Sequence, residues 1–305
     1  MSENAPLETT AARVPGITPS VTVALPTEAE ILAKAAGENF PVALRLLGRQ
    51  TREHLLAIYG FARLVDDVGD ELEGGPADRL AALDRVEAEL DLVFARLPAQ
   101  PLFHKLASAI NKCQLPREPF AALIEANRQD QRVCRYATFE ELLGYCRLSA
   151  DPVGRLVLRV FRQQSPETDR LSDLVCSGLQ LVEHFQDVVE DAAMGRVYLP
   201  EEDMDRFGVG IGDLVRSAAP ESFKRLMAFQ CARARELLLE GSQLVSLLRG
   251  RSRFAIAGFV AGGLAQIAAI EKAGYDVLAH DVKASDLSVA RIAAGLLAKA
   301  SRRAA

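Results

Sequence analysis

Tryptophan is absent from the 305 residues, and only five cysteines occur: Cys113, Cys134, Cys146, Cys176 and Cys231. They are odd in number, scattered and without CxxC spacing. That argues against a disulfide framework or a zinc site and suits a reducing cytoplasm. A basic excess is also missing: 36 Lys+Arg stand against 41 Asp+Glu, a formal charge of −5. Nucleic acid, which needs a concentrated basic surface, is therefore not an expected partner, although a local basic pocket for an anionic substrate remains compatible. No run of about 18 apolar residues is evident, so no membrane-spanning helix is expected, and any membrane contact would be peripheral, at the inner face. The opening MSENAPLETTAARVPG has neither the basic start nor the apolar core of a signal peptide. Alternating β-branched patterns and a strand followed by GxGxxG are missing too. No sheet is expected, and NADPH is not an expected cofactor.

What remains is helix-forming material. Hydrophobic residues make up 49% and charged residues 25%, enough apolar content for a substantial core. Residues 1–25, rich in Ala, Pro, Thr and Ser, read as a disordered tail, and Thr27 with Glu30 reads as a capping box opening the first helix. From there to the end, apolar residues recur at spacings of three and four. Gly and Pro punctuate the pattern at Gly48, Gly74-Gly75-Pro76, Pro98 to Pro101, Pro116 to Pro119, Pro152, Pro166, Pro200, Gly208 to Gly212, Pro220, Gly250 and Gly274. Thr138 with Glu141 is a second capping-box candidate. With no repeat and no composition shift, residues 26–305 read as one all-α domain.

Two segments are unusually apolar for helices that carry so much acid: HLLAIYGFARLVDDVGDEL (54–72) and LVCSGLQLVEHFQDVVEDA (174–192). In the first, Asp66 and Asp70 share a face; at about 100° per residue, Arg52, Tyr59 and Arg63 fall in the same arc of roughly 60°. In the second, Asp187 and Asp191 repeat the spacing, Gln180 and His184 extend the stripe, and Glu183 lies at its edge. One DxxxD is ordinarily a solvated face. Two copies, each on an apolar helix with a polar ladder, point equally to a paired metal site. Mg²⁺ takes oxygen ligands, keeps waters and uses one or two carboxylates plus substrate phosphates, so facing pairs could hold two or three ions around a diphosphate. The apolar remainder would enclose a dry cavity for a carbocation.

The stretches IYGFARLVDDVGDE and LQLVEHFQDVVEDAAMGRVYLP resemble the two signatures of the squalene/phytoene synthases, and the resemblance extends over about residues 36 to 290. It implies the isoprenoid synthase fold, a helical bundle around a central apolar cavity. The fragments ENFPVALRLL and RYATFEELLGYCRLSADPVGRLVL, with the FQDV form of the second signature, resemble the bacterial hydroxysqualene synthases of hopanoid pathways. Those enzymes take presqualene diphosphate from a sister enzyme, remove diphosphate and quench the rearranged cation with water. The resemblance implies that Asp66, Asp70, Asp187 and Asp191 bind Mg²⁺, and that Arg63 and Gln180 contact diphosphate. It places Asn39 where relatives often have a diphosphate-binding serine. Tyr136 and Tyr275 would line the cavity or touch the diphosphate, and Arg196 and Tyr198 would close the site.

One departure bears on the reaction. Phytoene-type relatives carry QLxNxxRD, whereas this chain has Glu183, His184 and Gln186 at the variable positions. A neutral contact and a cation are lost and two titratable groups gained. This disfavours binding two diphosphates and lets Glu183 or His184 position a water. The expected reaction is hydroxysqualene formation from presqualene diphosphate. Condensation of two farnesyl diphosphates is the nearest alternative, followed by phytoene synthesis. From other classes come a catalytically inactive helical assembly factor and a membrane-surface scaffold. The closing VARIAAGLLAKASRRAA is basic and somewhat amphipathic; it reads first as a solvated C-terminal helix, with delivery of a water-insoluble product to the bilayer as the alternative.

Overall fold

The computed structural model describes residues 47–98 and 101–304. The tail, the Thr27 capping box and Asn39 lie outside the described residues. Helix α1 (Arg49–Asp70) is followed by α2 (Pro76–Phe94), α3 (Pro101–Cys113), α4 (Glu118–Asp130), α5 (Phe139–Ser149), α6 (Asp151–Val160) and α7 (Pro166–Gln186). After these come α8 (Val188–Ala193), α9 (Glu201–Phe207), α10 (Glu221–Gly241), α11 (Leu244–Leu247), α12 (Arg251–Lys272) and α13 (Asp286–Ala304). Among the described residues there is no strand; a lone bridge pairs Arg135 with Val197.

The Gly and Pro punctuation places most of these boundaries. Proline occupies the first turn of α2, α4, α6 and α7, where its missing N–H costs nothing and its fixed φ suits the helix. Gly250 caps α12 at φ 63, a left-handed conformation that side-chain-bearing residues resist. Thr138 accepts from the Glu141 backbone N–H, but the Glu141 carboxylate reaches Ala137 rather than Thr138, so the box closes one residue early.

Helix α7 is the hub, packed on α6, α10, α12 and α5, while α1 packs on α2, α3, α4 and α6. The orientation of the long helices follows from their contacts. Gln163, just before α7, bonds Ser252 at the start of α12, and a Cβ at Gly263 would meet Leu179. Thus α7 and α12 run parallel. Gly178 and Gly241 pack against Leu238 and Val175 respectively, so α10 runs antiparallel to α7. His54 contacts Cys113, whose thiol feels Arg162, which sets the start of α1 at the same end as the start of α7.

Helix α12 corrects one expectation. Its mean hydropathy of 1.6 makes it long and apolar enough to cross a membrane, yet 61% of that window is buried inside the protein. Ala, Gly and Ile let it pack tightly beside α7, α10 and α13, as a core helix does.

Candidate active site

The second acidic stretch is not one helix. α7 ends at Gln186, and Asp187 (φ −95, ψ 15) joins it to α8. The turn is tight enough that the Asp191 N–H still donates to the Asp187 carbonyl at 2.7 Å. The four-residue spacing therefore survives, but the two carboxylates part company. Asp187 is exposed while Asp191 is buried, with Oδ2 lacking any hydrogen-bond partner.

Asp66 faces solvent, yet the protein packed around it pushes its carboxyl up to about 7, with Asp70 and Glu183 adding to the shift. A group both open and crowded stands on a concave wall. Asn127 of α4 donates to Asp66 Oδ1 at 3.0 Å and opposes the rise. It can come this close because residue 69 is glycine: a Cβ there would sit 2.0 Å from Asn127 Oδ1. Asp187 is raised to about 6 by partial burial and by Glu183, Asp191 and Glu190. Glu183 is thus the carboxylate whose charge acts on both acidic stretches.

Arg196 links the stretches directly, donating to Asp70 at 2.6 Å from a buried position. Behind it stands a cluster of rings. Asp130 accepts from Tyr145 at 2.7 Å and Tyr198 at 2.8 Å, and burial lifts its carboxyl to about 6. Tyr198 stacks on His184 with centroids 3.8 Å apart, and Tyr136 completes the group at 5.9 Å from Tyr198. Gln180 Nε2 lies 3.3 Å from His184 Nε2. If Gln180 donates, the His184 proton sits on Nδ1, which is 3.6 Å from Asp191 Oδ2. Buried hydroxyls and imidazole are thus held by specific partners, which fixes the ring orientations.

Two spaces adjoin these groups. One, of about 10 Å³, lies between His184, Asp191, Arg196 and Tyr198, about the room one water needs. The other is a polar recess of about 380 Å³ where Asp187 and Glu190 face residues 277–283.

Most of the anticipated residues converge here: Asp66, Asp70, Glu183, His184, Asp187, Asp191, Gln180, Arg196, Tyr136 and Tyr198. Arg63 reaches Asp67 at 2.8 Å and Glu71 at 3.2 Å, while its charge also acts on Asp66. Tyr275 sits apart, at φ 61 in the turn after α12, its hydroxyl feeling Glu271, Cys231 and Arg235. Sequence reasoning passed over Asn127, Asp130 and Tyr145. Asn127 and Asp130, three apart and polar on a half-buried helix, were the available signal.

The residues 33–288 match the family model described as squalene/phytoene synthase. The chain belongs to the squalene/phytoene synthase family. Its members use prenyl diphosphates, so the protein is an enzyme of that class. Among family members, it is 32% identical to the phytoene synthase of Mycobacterium tuberculosis over 274 residues, covering 88% of this chain and 89% of that one. It is 36% identical to the hydroxysqualene synthase of Sinorhizobium fredii over 223 residues, covering 72% and 74%. A solved squalene synthase from Alicyclobacillus acidocaldarius is 44% identical, with a TM-score of 0.75 over 80% of this chain and 92% of that one. A dehydrosqualene synthase structure shares the family fold at a TM-score of 0.80, with 24% identity, 90% of this chain and 95% of that one.

Proposed function

We propose that this family member is a hydroxysqualene synthase: it ionises presqualene diphosphate with Mg²⁺, allows the cation to rearrange and captures it with water. The observation that carries the reading is the place of Glu183. It acts on Asp66 and Asp187 alike, with His184 beside it, where phytoene-type relatives have Asn. The 36% identity to a hydroxysqualene synthase supports the same choice.

The acidic residues fit Mg²⁺. They offer hard oxygen donors, and Asp191 Oδ2 is buried without a hydrogen-bond partner, which a cation would relieve. Among the described residues no three His, Cys, Asp or Glu groups form a ready cage; Mg²⁺ needs none, since water and substrate phosphates complete its shell. Asp66, Asp70, Asp187 and Asp191 would hold two or three ions. When bound, Mg²⁺ supplies charge that neutralises diphosphate as its carbon–oxygen bond breaks.

The chain's own groups do the rest. Arg196, whose pKa is held above its ordinary value by Asp70, is a permanent cation for diphosphate oxygens, aided by Arg63, Gln180 and Asn39. Tyr136, Tyr145 and Tyr198 pack on one another, and Tyr198 stacks on His184, so the ring cluster holds His184 and Arg196 in place. Glu183 and His184 orient a water and take its proton as the new carbon–oxygen bond forms. No hydride is transferred, so no NADPH is required.

Condensation of two farnesyl diphosphates is the second reading, favoured by the phytoene synthase match over 88% of the chain. Separate incubations decide. Presqualene diphosphate should be consumed at least an order of magnitude faster than farnesyl diphosphate; the reverse order would establish the condensing reading.

A further inference from the structure

The acidic site and a group of exposed cations stand at opposite ends of α7. The acidic residues of the active site cluster at the C-terminal ends of α1 and α7, one helix length away from the start of α7, or about 30 Å. At that other end the start of α12 meets the end of α13, where Arg253 bonds Ser301. No Asp or Glu occurs between Ser242 and Ile270, or from Leu287 to Ala304. The exposed cations here include Arg249, Arg251, Lys299 and Arg302, while Arg170, at the start of α7, is paired with Glu240 at 2.8 Å. Two large apolar side chains stand among them: Leu247 is 40% exposed and Phe254 52%. Gly250, at φ 63, makes the sharp turn that presents Arg249 and Arg251 on either side of it.

We infer that this end is a docking surface for an anionic lipid bilayer. In a chain of net charge −5, two neighbouring segments that carry cations and no carboxylate complement a negative headgroup layer, and the nearby Glu240 is already paired with Arg170. Exposed Phe and Leu beside arginines suit the headgroup boundary, where apolar side chains enter and cations stay at the phosphates. The acidic site then faces away from the lipid charge. The inference stands on the surface itself and is independent of the proposed reaction.

The test is co-sedimentation of the full chain with vesicles of phosphatidylcholine alone and of phosphatidylcholine mixed with phosphatidylglycerol, at low and high salt. Binding should appear on the anionic vesicles only and weaken as salt rises. Each surface cation contributes about fivefold in partitioning, so the double variant Arg249→Gln/Arg251→Gln should bind about 25-fold more weakly. Phe254→Ser should weaken binding while keeping its salt dependence. If the double variant melts early, Lys299→Gln/Arg302→Gln, on a separate helix, carries the same expectation. Equal binding to neutral vesicles, unchanged binding by both double variants, or no binding to either vesicle would overturn the inference, the last leaving the patch to an acidic protein partner.

Discussion

Arg196 reaches back 126 residues to donate a 2.6 Å hydrogen bond to Asp70, fastening the segment after the second acidic stretch to the end of the first. Arg196 is buried and flanked by Tyr198 and Asp130 as well as Asp70, so its position is fixed before any substrate arrives. Preorganised charge of this kind needs no rearrangement as a leaving group develops.

Arg196→Gln should therefore lower kcat by about 10²- to 10³-fold, the loss typical of one electrostatic donor at a transition state. Arg196→Lys should recover part of it, keeping the charge without the planar fork. Steady-state kinetics of both variants, with circular dichroism to confirm the fold, make the comparison.

Asn127 moderates the ionisation of Asp66. Burial raises Asp66 to about 7, and the Asn127 amide opposes that rise by bonding the carboxylate. Cation binding needs the ionised form, so at limiting Mg²⁺ the rate should climb as pH rises through about 7. In Asn127→Leu the opposing bond is gone and the midpoint should move to higher pH. An unmoved pH–rate profile would show that Asn127 does not act through Asp66.

Gly69→Ala is expected to act at the same place from the other side. The new methyl would stand 2.0 Å from Asn127 Oδ1, and overpacking of this kind costs about 1–3 kcal/mol. Stability should fall by that amount in urea unfolding, with activity falling further because Asp66 loses its partner.

How much of this was legible beforehand depended on locality. Pro76, Pro152 and Pro166 mark helix starts because proline's constraints act within its own turn. Gln114 and Arg162 end α3 and α6 at positive φ without the usual glycine, so those ends gave no local sign. Nor did the break at Asp187, where no Gly or Pro interrupts the helical pattern. The acidic pairs were visible through their spacing. Asn127, Asp130 and Tyr145 were not, since their roles exist only once α4 and α5 pack beside the acidic residues, and no short-range pattern encodes that contact. Tyr275 shows the converse: a motif residue that folding places near Glu271 and Arg235.

Asp151 yields a stability prediction away from the acidic site. Its buried carboxyl accepts from Ser177 at 2.8 Å and is raised to about 7, chiefly by burial and then by Asp173. Unfolded, it would titrate near 3.9. Between these values the folded state binds one proton more than the unfolded state, so stability falls as pH rises from about 4 to about 7. Asp151→Asn keeps a hydrogen-bond acceptor and removes the charge, and should flatten that slope and stabilise the protein at pH 8, by about 4 kcal/mol at most. Urea unfolding at pH 5 and pH 8 is the measurement; an identical pH slope in variant and parent would show that Asp151 is not the group responsible.

The central claim is tested most directly by one incubation: presqualene diphosphate with the enzyme and Mg²⁺, without NADPH, in H₂¹⁸O. The account predicts hydroxysqualene carrying ¹⁸O in its hydroxyl, formation abolished by EDTA, and a shift toward unquenched rearrangement or elimination products in Glu183→Gln and His184→Phe. Products without ¹⁸O, or turnover that persists in EDTA, would contradict it.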